Sequence, residues 1–145
     1  MKKHILVLAM VVLTAQLVVA QEYYTKDVSQ LPAKAQEFVK KHFPKETISY
    51  LLVDKEFAST EYEIALSNGQ EITFDRNGEW KEIEGKKRAL PESVIPAVVA
   101  TIVTARFPNV AIEHLEREYW GYEVELMNGL ELKIDKKGKL IEIDD

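Results

Sequence analysis

The chain has 145 residues, of which 46% are hydrophobic and 30% charged, and its formal net charge is −5. This composition is typical of a folded globular protein, and the length allows one ordinary domain or two small ones. The absence of cysteine excludes disulfide bonds, a thiolate metal site, a cysteine nucleophile and the lipid-modified cysteine of a bacterial lipoprotein. The acidic charge argues against nucleic acid as a partner, because phosphates attract basic surfaces.

The N-terminal segment has the features of an export signal. Lys2 and Lys3 precede an uncharged, mostly apolar run over residues 5–20, which ends in Val18-Val19-Ala20. A basic head, an apolar core and small residues before a polar one form the pattern that signal peptidase recognises. We predict a cleaved signal peptide over residues 1–20 and a periplasmic or secreted protein with no stable membrane span after cleavage.

The rest of the chain contains two related copies of one unit. Leu31–Pro44 aligns with Ile95–Pro108, and Tyr62–Ile83 aligns with Tyr122–Ile143, with Asn-Gly and Asp-x-x-Gly at matching places. The offset falls from 64 to 60 between the two alignments, so the second copy lacks four residues in its first hairpin. Such self-similarity indicates a duplication.

Each copy is predicted to form one helix followed by four antiparallel strands. Ser29 and Ser93 are the expected helix N-caps, and Phe-Pro pairs at 43–44 and 107–108 end the helices because the residue before proline leaves the helical region. Asn-Gly and Asp-x-x-Gly turns separate strands of alternating polarity. We therefore predict an α+β fold of two tandem repeats, whose four-stranded sheets pack together or join into one curved sheet. The predicted boundaries are 21–85 for the first repeat with an N-terminal extension and 86–145 for the second.

Alternation along the strands separates an apolar face from a charged one. Apolar residues such as Ile64 are predicted to face the helices, whereas the acids and Lys133 point to the solvent side. Unbroken alternation in the last strand of each copy then places Trp80 and Leu140 on the solvent side as well. Large apolar side chains on such a face are typical of a binding surface.

We therefore predict a surface for a protein or peptide partner on the open side of the sheet. Tyr and Trp anchor protein interfaces because they give a large contact area with few rotatable bonds. The alternative is that these aromatic residues cover the junction between the repeats or a strand edge. The predicted binding residues are Trp80, Trp120, Tyr119, Leu140, Tyr50 and Lys133.

The second helix differs from the first because Ser93–Ala105 carries no charged side chain. Such a helix is buried between layers, or it contacts a second copy or a partner. It also permits a different function, which is the carriage of a small apolar ligand in a pocket between this helix and the sheet. The residues predicted to line that pocket are Val98, Ile102 and Val124.

None of the motifs that identify a reaction occurs in the chain. After the signal peptide only His42 and His114 remain, and there is no nucleophile elbow, zinc-binding helix motif, phosphate loop or dinucleotide fingerprint. The segments 75–78 and 135–138 each offer one carboxylate among cations, so we predict turns there and not calcium loops. We expect no catalytic residue, metal or cofactor, and an enzyme of unrecognised type is the third alternative.

These features resemble a known family. An export signal followed by two copies with Leu31-Pro32, Phe43-Pro44, Asn68-Gly69 and their counterparts is similar to the PepSY-like, beta-lactamase-inhibitor-like proteins exported by Bacteroides-type bacteria. The resemblance implies tandem repeats that form a curved sheet. PepSY domains in peptidase propeptides restrain the protease, so the resemblance also implies inhibition by analogy.

The chain departs from these relatives in having no peptidase domain and none of the disulfides of the secreted beta-lactamase inhibitor proteins. From the residues and the resemblance together, we expect a non-enzymatic binding module, or an inhibitor or regulator of an envelope enzyme. The expected partner is an unidentified protein or peptide of the cell envelope, and the oligomeric state is left open.

Overall fold

Two helices and nine antiparallel strands are present in the computed structural model, which describes residues 20–145. The predicted signal peptide lies outside the described residues except for Ala20. The helices are α1 (Ala33–His42) and α2 (Ala97–Arg106). The strands are β1 (Gln21–Thr25), β2 (Ile48–Lys55), β3 (Thr60–Leu66), β4 (Glu71–Phe74), β5 (Trp80–Glu84), β6 (Ile112–Arg117), β7 (Gly121–Leu126), β8 (Glu131–Asp135) and β9 (Leu140–Asp144).

All nine strands belong to one open sheet, in which each strand pairs with its neighbours in chain order from β1 to β9. The copies meet where β5 pairs with β6, so their sheets join instead of packing as separate layers. The prediction of an α+β fold with tandem helix-plus-four-strand repeats is confirmed. The N-terminal extension adds β1, which pairs with β2 from Gln21 opposite Lys55 to Thr25 opposite Leu51.

The helices begin later than the serine caps predicted. Ser29 lies in a short 3-10 turn, Val28–Gln30, where the Asp27 carboxylate accepts a hydrogen bond from the Ser29 amide at 3.1 Å. Pro32 and Pro96 are extended, with ψ of 141° in each, and the α-helices start directly after them. The N-cap prediction for Ser29 and Ser93 is therefore wrong, because the proline ring separates each serine turn from the helix.

One side of the sheet forms the core beneath both helices. A transverse row of directly opposed apolar residues crosses the sheet, and Ala35 and Val39 of α1 and Val99 of α2 belong to the same buried cluster. Only the last member of the row is exposed. The row consists of Leu51, Ile64, Ile72, Ile83, Leu115, Val124, Leu132 and Ile143.

The apolar helix α2 lies on the surface of this layer. Val99 and Val103 are buried, whereas Thr101, Thr104 and Ala105 are exposed. Burial between layers, the first of the two alternatives for α2, is therefore wrong, and contact with a second copy or a partner stays a prediction. Within residues 20–145, neither helix combines the length and apolar character needed to cross a membrane.

Bulges interrupt the strand alternation at matching places in the two copies. Lys81 is the extra residue in β5, so that Trp80 lies opposite Phe74, and Ile141 is the extra residue in β9. A bulge shifts every residue beyond it to the other face of the strand. Trp80 and Leu140 therefore face the helices, and the prediction that they lie on the solvent side is wrong.

Candidate functional site

The side of the sheet opposite the helices, which we call the open face, carries two transverse rows of mostly acidic residues. Strand pairing places ten carboxylates in these rows, accompanied by Lys133 and His114. The first row is Tyr24, Leu52, Glu63, Thr73, Glu82, Glu116, Glu123, Lys133 and Glu142. The second row is Tyr50, Ala65, Glu71, Glu84, His114, Glu125, Glu131 and Asp144.

Basic side chains neutralise part of this charge. The Lys86 ammonium lies 2.6 Å from a Glu84 oxygen and 3.1 Å from a Glu71 oxygen, and these hydrogen bonds raise the pKa of Lys86 well above its usual range. Lys133 lies 3.2 Å from Glu142. Since the carboxylates in the two rows outnumber these cations, the open face keeps a net negative charge.

The centre of the open face is the pair formed by His114 and Glu82 where the repeats join. His114 Nε2 lies 2.8 Å from Glu82 Oε1, which links β6 to β5. The hydrogen bond that the His114 imidazole donates to the Glu82 carboxylate raises the pKa of His114 and lowers the pKa of Glu82. The imidazole therefore favours its charged form in a setting that supplies negative charge on several sides.

The carboxylates beside this pair repel one another. Burial raises the pKa of Glu63, and the nearby Glu71 and Glu82 raise it further. Burial also raises the pKa of Glu116, with Glu82 as the next contribution. Burial and the neighbouring negative charges thus both disfavour the ionised forms of Glu63 and Glu116, and a bound cation would relieve the repulsion.

A shallow depression of about 330 Å³ opens on the second-copy half of the face. Its polar lining consists of carboxylates with His114 and Lys133, and it contains no hydroxyl or thiol group. Covalent catalysis by a serine, threonine or cysteine needs such a group next to a base. The lining is therefore suited to binding cationic groups and offers no nucleophile of that kind.

One trio on this face could hold a metal ion. A ligand atom from each of Glu82, Glu84 and His114 lies within 4.8 Å of the others. An imidazole beside carboxylates suits a transition metal better than calcium, which prefers oxygen ligands. The Lys86 ammonium, however, already forms an ion pair with Glu84, which is one of the three potential ligands. The sequence did not indicate the trio, because only the β5–β6 register brings His114 next to Glu82 and Glu84.

The two Asp-x-x-Gly segments are tight turns, as predicted. The Asp75 carboxylate accepts hydrogen bonds from the backbone amides of Asn77 and Glu79, at 2.8 and 3.0 Å. Asp135 does the same for Lys137 and Lys139. One oxygen of each aspartate thus closes a turn between strands.

The structure distributes the six predicted binding residues over three places. Tyr50 and Lys133 lie on the open face, on β2 and β8 respectively. Tyr119 is 85% exposed, and Trp120 is half-buried beside it in the loop between β6 and β7. Trp80 and Leu140 lie on the helix side. The six residues therefore do not form a single cluster.

Trp80 covers the junction between the repeats. It is only 6% exposed, its ring stacks on Tyr122 with centroids 6.5 Å apart, and the Arg117 guanidinium lies 4.1 Å from its ring centroid. Both contacts come from the second copy. This position agrees with the alternative reading in which aromatic residues cover the junction.

A separate pocket of about 560 Å³ lies between α2 and the segments on either side of it. None of the three predicted lining residues borders it, so that part of the ligand-carrier prediction is wrong. Val98 instead packs against the Gly138 turn, and Val124 is buried in the transverse apolar row of the core. The apolar residues that do line the pocket include Leu90, Ile95, Ala100, Val103, Val110 and Ile112.

The fold and the open face together define a class of tandem-repeat proteins in which helices cover one side of an antiparallel sheet and leave the other side free. The chain belongs to the PepSY-like family, described as "Putative beta-lactamase-inhibitor-like, PepSY-like", whose sequence profile matches residues 17–75 and 60–142. The resemblance predicted from the sequence is confirmed. No curated protein matches the chain in sequence.

Three solved structures from Bacteroides share the fold of this chain. Two Bacteroides vulgatus proteins, described as "putative periplasmic protein", are each 32% identical, with TM-scores of 0.81 over 86% of this chain and 100% and 98% of theirs. The first of these is further described as of unknown function. A Bacteroides thetaiotaomicron protein, described as a "putative calcium-regulated periplasmic protein", is 35% identical, with a TM-score of 0.79 over 86% of this chain and 97% of its own.

Proposed function

We propose that this chain is an exported, non-enzymatic binding module whose open face engages a protein or peptide of the cell envelope and so inhibits or regulates an envelope enzyme. The observation that carries the proposal is the pair of carboxylate rows on the side of the sheet that neither helix covers. A strongly charged surface of this extent favours association with a partner of opposite charge.

The electrostatics of the open face support a cationic contact surface on the partner. Glu63 and Glu116 have raised pKa values because they are partly buried among other carboxylates. Lysine or arginine side chains from a partner would stabilise the charged forms of these groups. Binding would then be faster and tighter at low ionic strength, since salt screens exposed charges.

Aromatic residues around the charged rows supply apolar contact area. Tyr24 and Tyr50 meet edge to face at the β1–β2 side, with ring centroids 5.6 Å apart. Tyr119 is exposed in the β6–β7 loop, and Trp120 is half-buried beside it. We assign the contact role to these residues and to Lys133, and we assign Trp80 and Leu140 a structural role on the helix side.

Three observations support the envelope location and the inhibitory role. The structural relatives are described as periplasmic proteins. Strand β1 begins at Gln21, directly after the predicted signal-peptide cleavage site. The family description refers to beta-lactamase inhibition, and inhibition by occupying an enzyme's surface requires a broad exposed face and no catalytic group of its own.

Charge reversal on opposite sides of the protein tests this proposal. Glu123→Lys with Glu131→Lys changes the open face, and Glu37→Lys with Glu92→Lys makes the same change of charge on exposed residues of the helix side. Each protein is used to capture partners from an envelope extract of the source organism at low and high salt. We expect the open-face variant to lose the partner that the wild type and the helix-side variant retain. Equal capture by all three would contradict the proposal.

The pocket beside α2 supports a second candidate function, which is carriage of a small apolar ligand. Ala100 leaves room there, whereas Gln36 occupies the equivalent place in the first copy and its amide donates a 2.8 Å hydrogen bond to the Leu31 carbonyl oxygen. Ala100→Gln should therefore fill the pocket. Native mass spectrometry of the protein from its host would show a retained ligand in the wild type and none in Ala100→Gln if carriage is the function.

A further inference from the structure

The outer edge of β9 is the structural counterpart of the outer edge of β5. The two strands align at the 60-residue offset, and each pairs with its preceding strand in the same register, with Ile83 opposite Ile72 and Ile143 opposite Leu132. Each also has a bulge one residue after its start. The two edges therefore present side chains in the same order.

A strand of the second copy occupies the edge of β5. Strand β6 places Leu115 opposite Ile83 and His114 opposite Glu84, and Ile83 is completely buried as a result. His114 also binds Glu82 across the strands. The β5–β6 pairing thus places an aliphatic residue on the helix side. On the open side it places a histidine opposite Glu84 and an acid, Glu116, opposite Glu82, and His114 reaches across to Glu82.

No strand pairs with the outer edge of β9 within residues 20–145. Ile143 is 45% exposed and Ile141 55% exposed, although Ile83 at the position equivalent to Ile143 is buried. An uncovered edge offers unpaired backbone groups to another extended segment. The exposed isoleucines add apolar surface that such a segment would cover.

The charges beside this edge determine which kind of extended segment can pair with it. Glu142 and Asp144 point to the open face, where Lys133 neutralises only Glu142. A second copy of β9 would bring its own acids next to them, and β1 of a second copy contains no cationic residue. The sheet already pairs acids at Glu82–Glu116 and Glu131–Asp144. Because like charges on paired strands are destabilising, further acids would add to this repulsion, and the edge favours a cationic segment over a second copy.

We infer that the outer edge of β9 binds an extended segment of a partner protein in which an aliphatic residue has a cationic residue on each side. The aliphatic residue covers Ile143 as Leu115 covers Ile83. One cation lies opposite Asp144, as His114 lies opposite Glu84. The other lies opposite Glu142, where β6 instead places Glu116 opposite Glu82 and His114 supplies the contact to Glu82. This site concerns the edge of the sheet and does not depend on the binding proposed for the open face.

A peptide derived from β6 provides the probe. It carries residues 110–118 with His114→Lys and Glu116→Lys, so that lysines flank Leu115. A control peptide of the same composition exchanges the leucine with the lysine that follows it, which breaks the alternation. We expect the first peptide to bind the full chain by fluorescence anisotropy and to slow hydrogen exchange of the β9 amides, and the control to do neither.

Variants of the protein separate edge binding from other contacts. Ile143→Lys with Asp144→Lys should weaken binding by about tenfold or more, because it removes the apolar contact and adds like charge. Glu22→Lys on the opposite edge and Glu123→Lys on the open face should leave binding within about twofold. Circular dichroism and thermal unfolding confirm that each variant is folded.

Several results would overturn the inference. These are failure of the probe to bind, equal binding of the control peptide, unchanged binding by the β9 variant, or protection of interior strands in place of β9. Concentration-dependent protection of β9 without peptide, together with dimers in sedimentation, would show that a second copy is the occupant. Loss of binding in Glu123→Lys would instead assign the peptide to the open face.

Discussion

The first and second repeats share a fold and differ most where each one meets its neighbour. Strand β5 is covered by β6, and Trp80 closes that junction against Tyr122 and Arg117. Strand β9 has the same register but an exposed edge, and leucine replaces the tryptophan there. The duplicated unit thus keeps its internal packing and changes the residues that its surroundings contact.

The helices show the same division. In both copies the two central helix positions are buried, Ala35 and Val39 in α1 and Val99 and Val103 in α2. The outer positions differ, since Lys34 of α1 forms an ion pair with Glu79 and the equivalent Val98 packs on the Gly138 turn. The packing that both repeats share holds each helix on the sheet. The helix positions that differ between the repeats determine what lies beside each helix.

The largest expected effect comes from truncating equivalent isoleucines. Ile83→Ala should lower the free energy of unfolding by about 3 to 4 kcal/mol, because it leaves a cavity in the closed core. Ile143→Ala should cost about 1 kcal/mol, because that side chain is already half exposed. Urea denaturation of both variants measures the difference. Equal losses would mean that the edge of β9 is as well covered as that of β5.

The next effect concerns Gly85, where the chain leaves β5 for the second copy. A Cβ there would lie 1.9 Å from the Arg88 carbonyl oxygen, so Gly85→Ala should destabilise the fold by about 3 kcal/mol. Gly129→Ala, in a hairpin turn with open space and a positive φ, serves as the control and should cost about 1 kcal/mol. Thermal unfolding that places the two variants in the opposite order would contradict the close approach at the junction.

A smaller effect distinguishes the two described histidines by their pH dependence. Glu82 raises the pKa of His114, so the stability that His114 contributes is complete below its unfolded pKa of about 6.5 and is lost as the pH rises through the higher folded pKa. Burial lowers the pKa of His42, so its contribution is complete above about pH 6.5 and is lost as the pH falls through the lower folded pKa.

Urea unfolding over about one pH unit on either side of 6.5 measures both contributions. His114→Gln should remove the loss of stability on the alkaline side, and His42→Gln should remove the loss on the acid side. The carboxylates of Glu84, Glu116 and Glu125 also face His114 and remain in both variants. If His114→Gln left the alkaline side unchanged, the Glu82 contact would not stabilise the junction.

The smallest expected effect is that of the surface ion pair between Lys34 and Glu79, which the second copy lacks. Both side chains are substantially exposed, so a double-mutant cycle with Lys34→Ala and Glu79→Ala should give a coupling below about 1 kcal/mol. The coupling should decrease further in high salt. A larger, salt-independent coupling would show that this pair holds α1 against the β4–β5 turn more firmly than its exposure suggests.

Much of the fold was predictable because the duplication marks each turn twice. Asn-Gly and Asp-x-x-Gly fixed the hairpins, and alternation correctly placed residues such as Ile64, Ile72 and Val124 in the core. The bulges at Lys81 and Ile141 have no comparable signal, since an extra residue in a strand is specified by pairing with its neighbour. This is why alternation put Trp80 and Leu140 on the wrong face.

The candidate site was predictable only in its general character. The charged side of each strand could be read from the sequence, as could the placement of Tyr50 and Lys133 on it. The proximity of His114 to Glu82 depends on the register of β5 with β6, which joins segments thirty residues apart. Likewise β1 was expected only as an extension, because a five-residue edge strand gains its structure from pairing with β2.

Photo-crosslinking in the cells that produce the protein tests whether the open face binds a partner. A photoreactive residue is placed at Thr73, Glu116 or Glu123 on the open face, and at Glu37, Thr101 or Arg106 on the helix side. We predict that a partner protein becomes crosslinked to the open-face positions and not to the helix side. Crosslinking confined to the helix side, or none from any open-face position, would contradict the proposal that the open face is the binding surface.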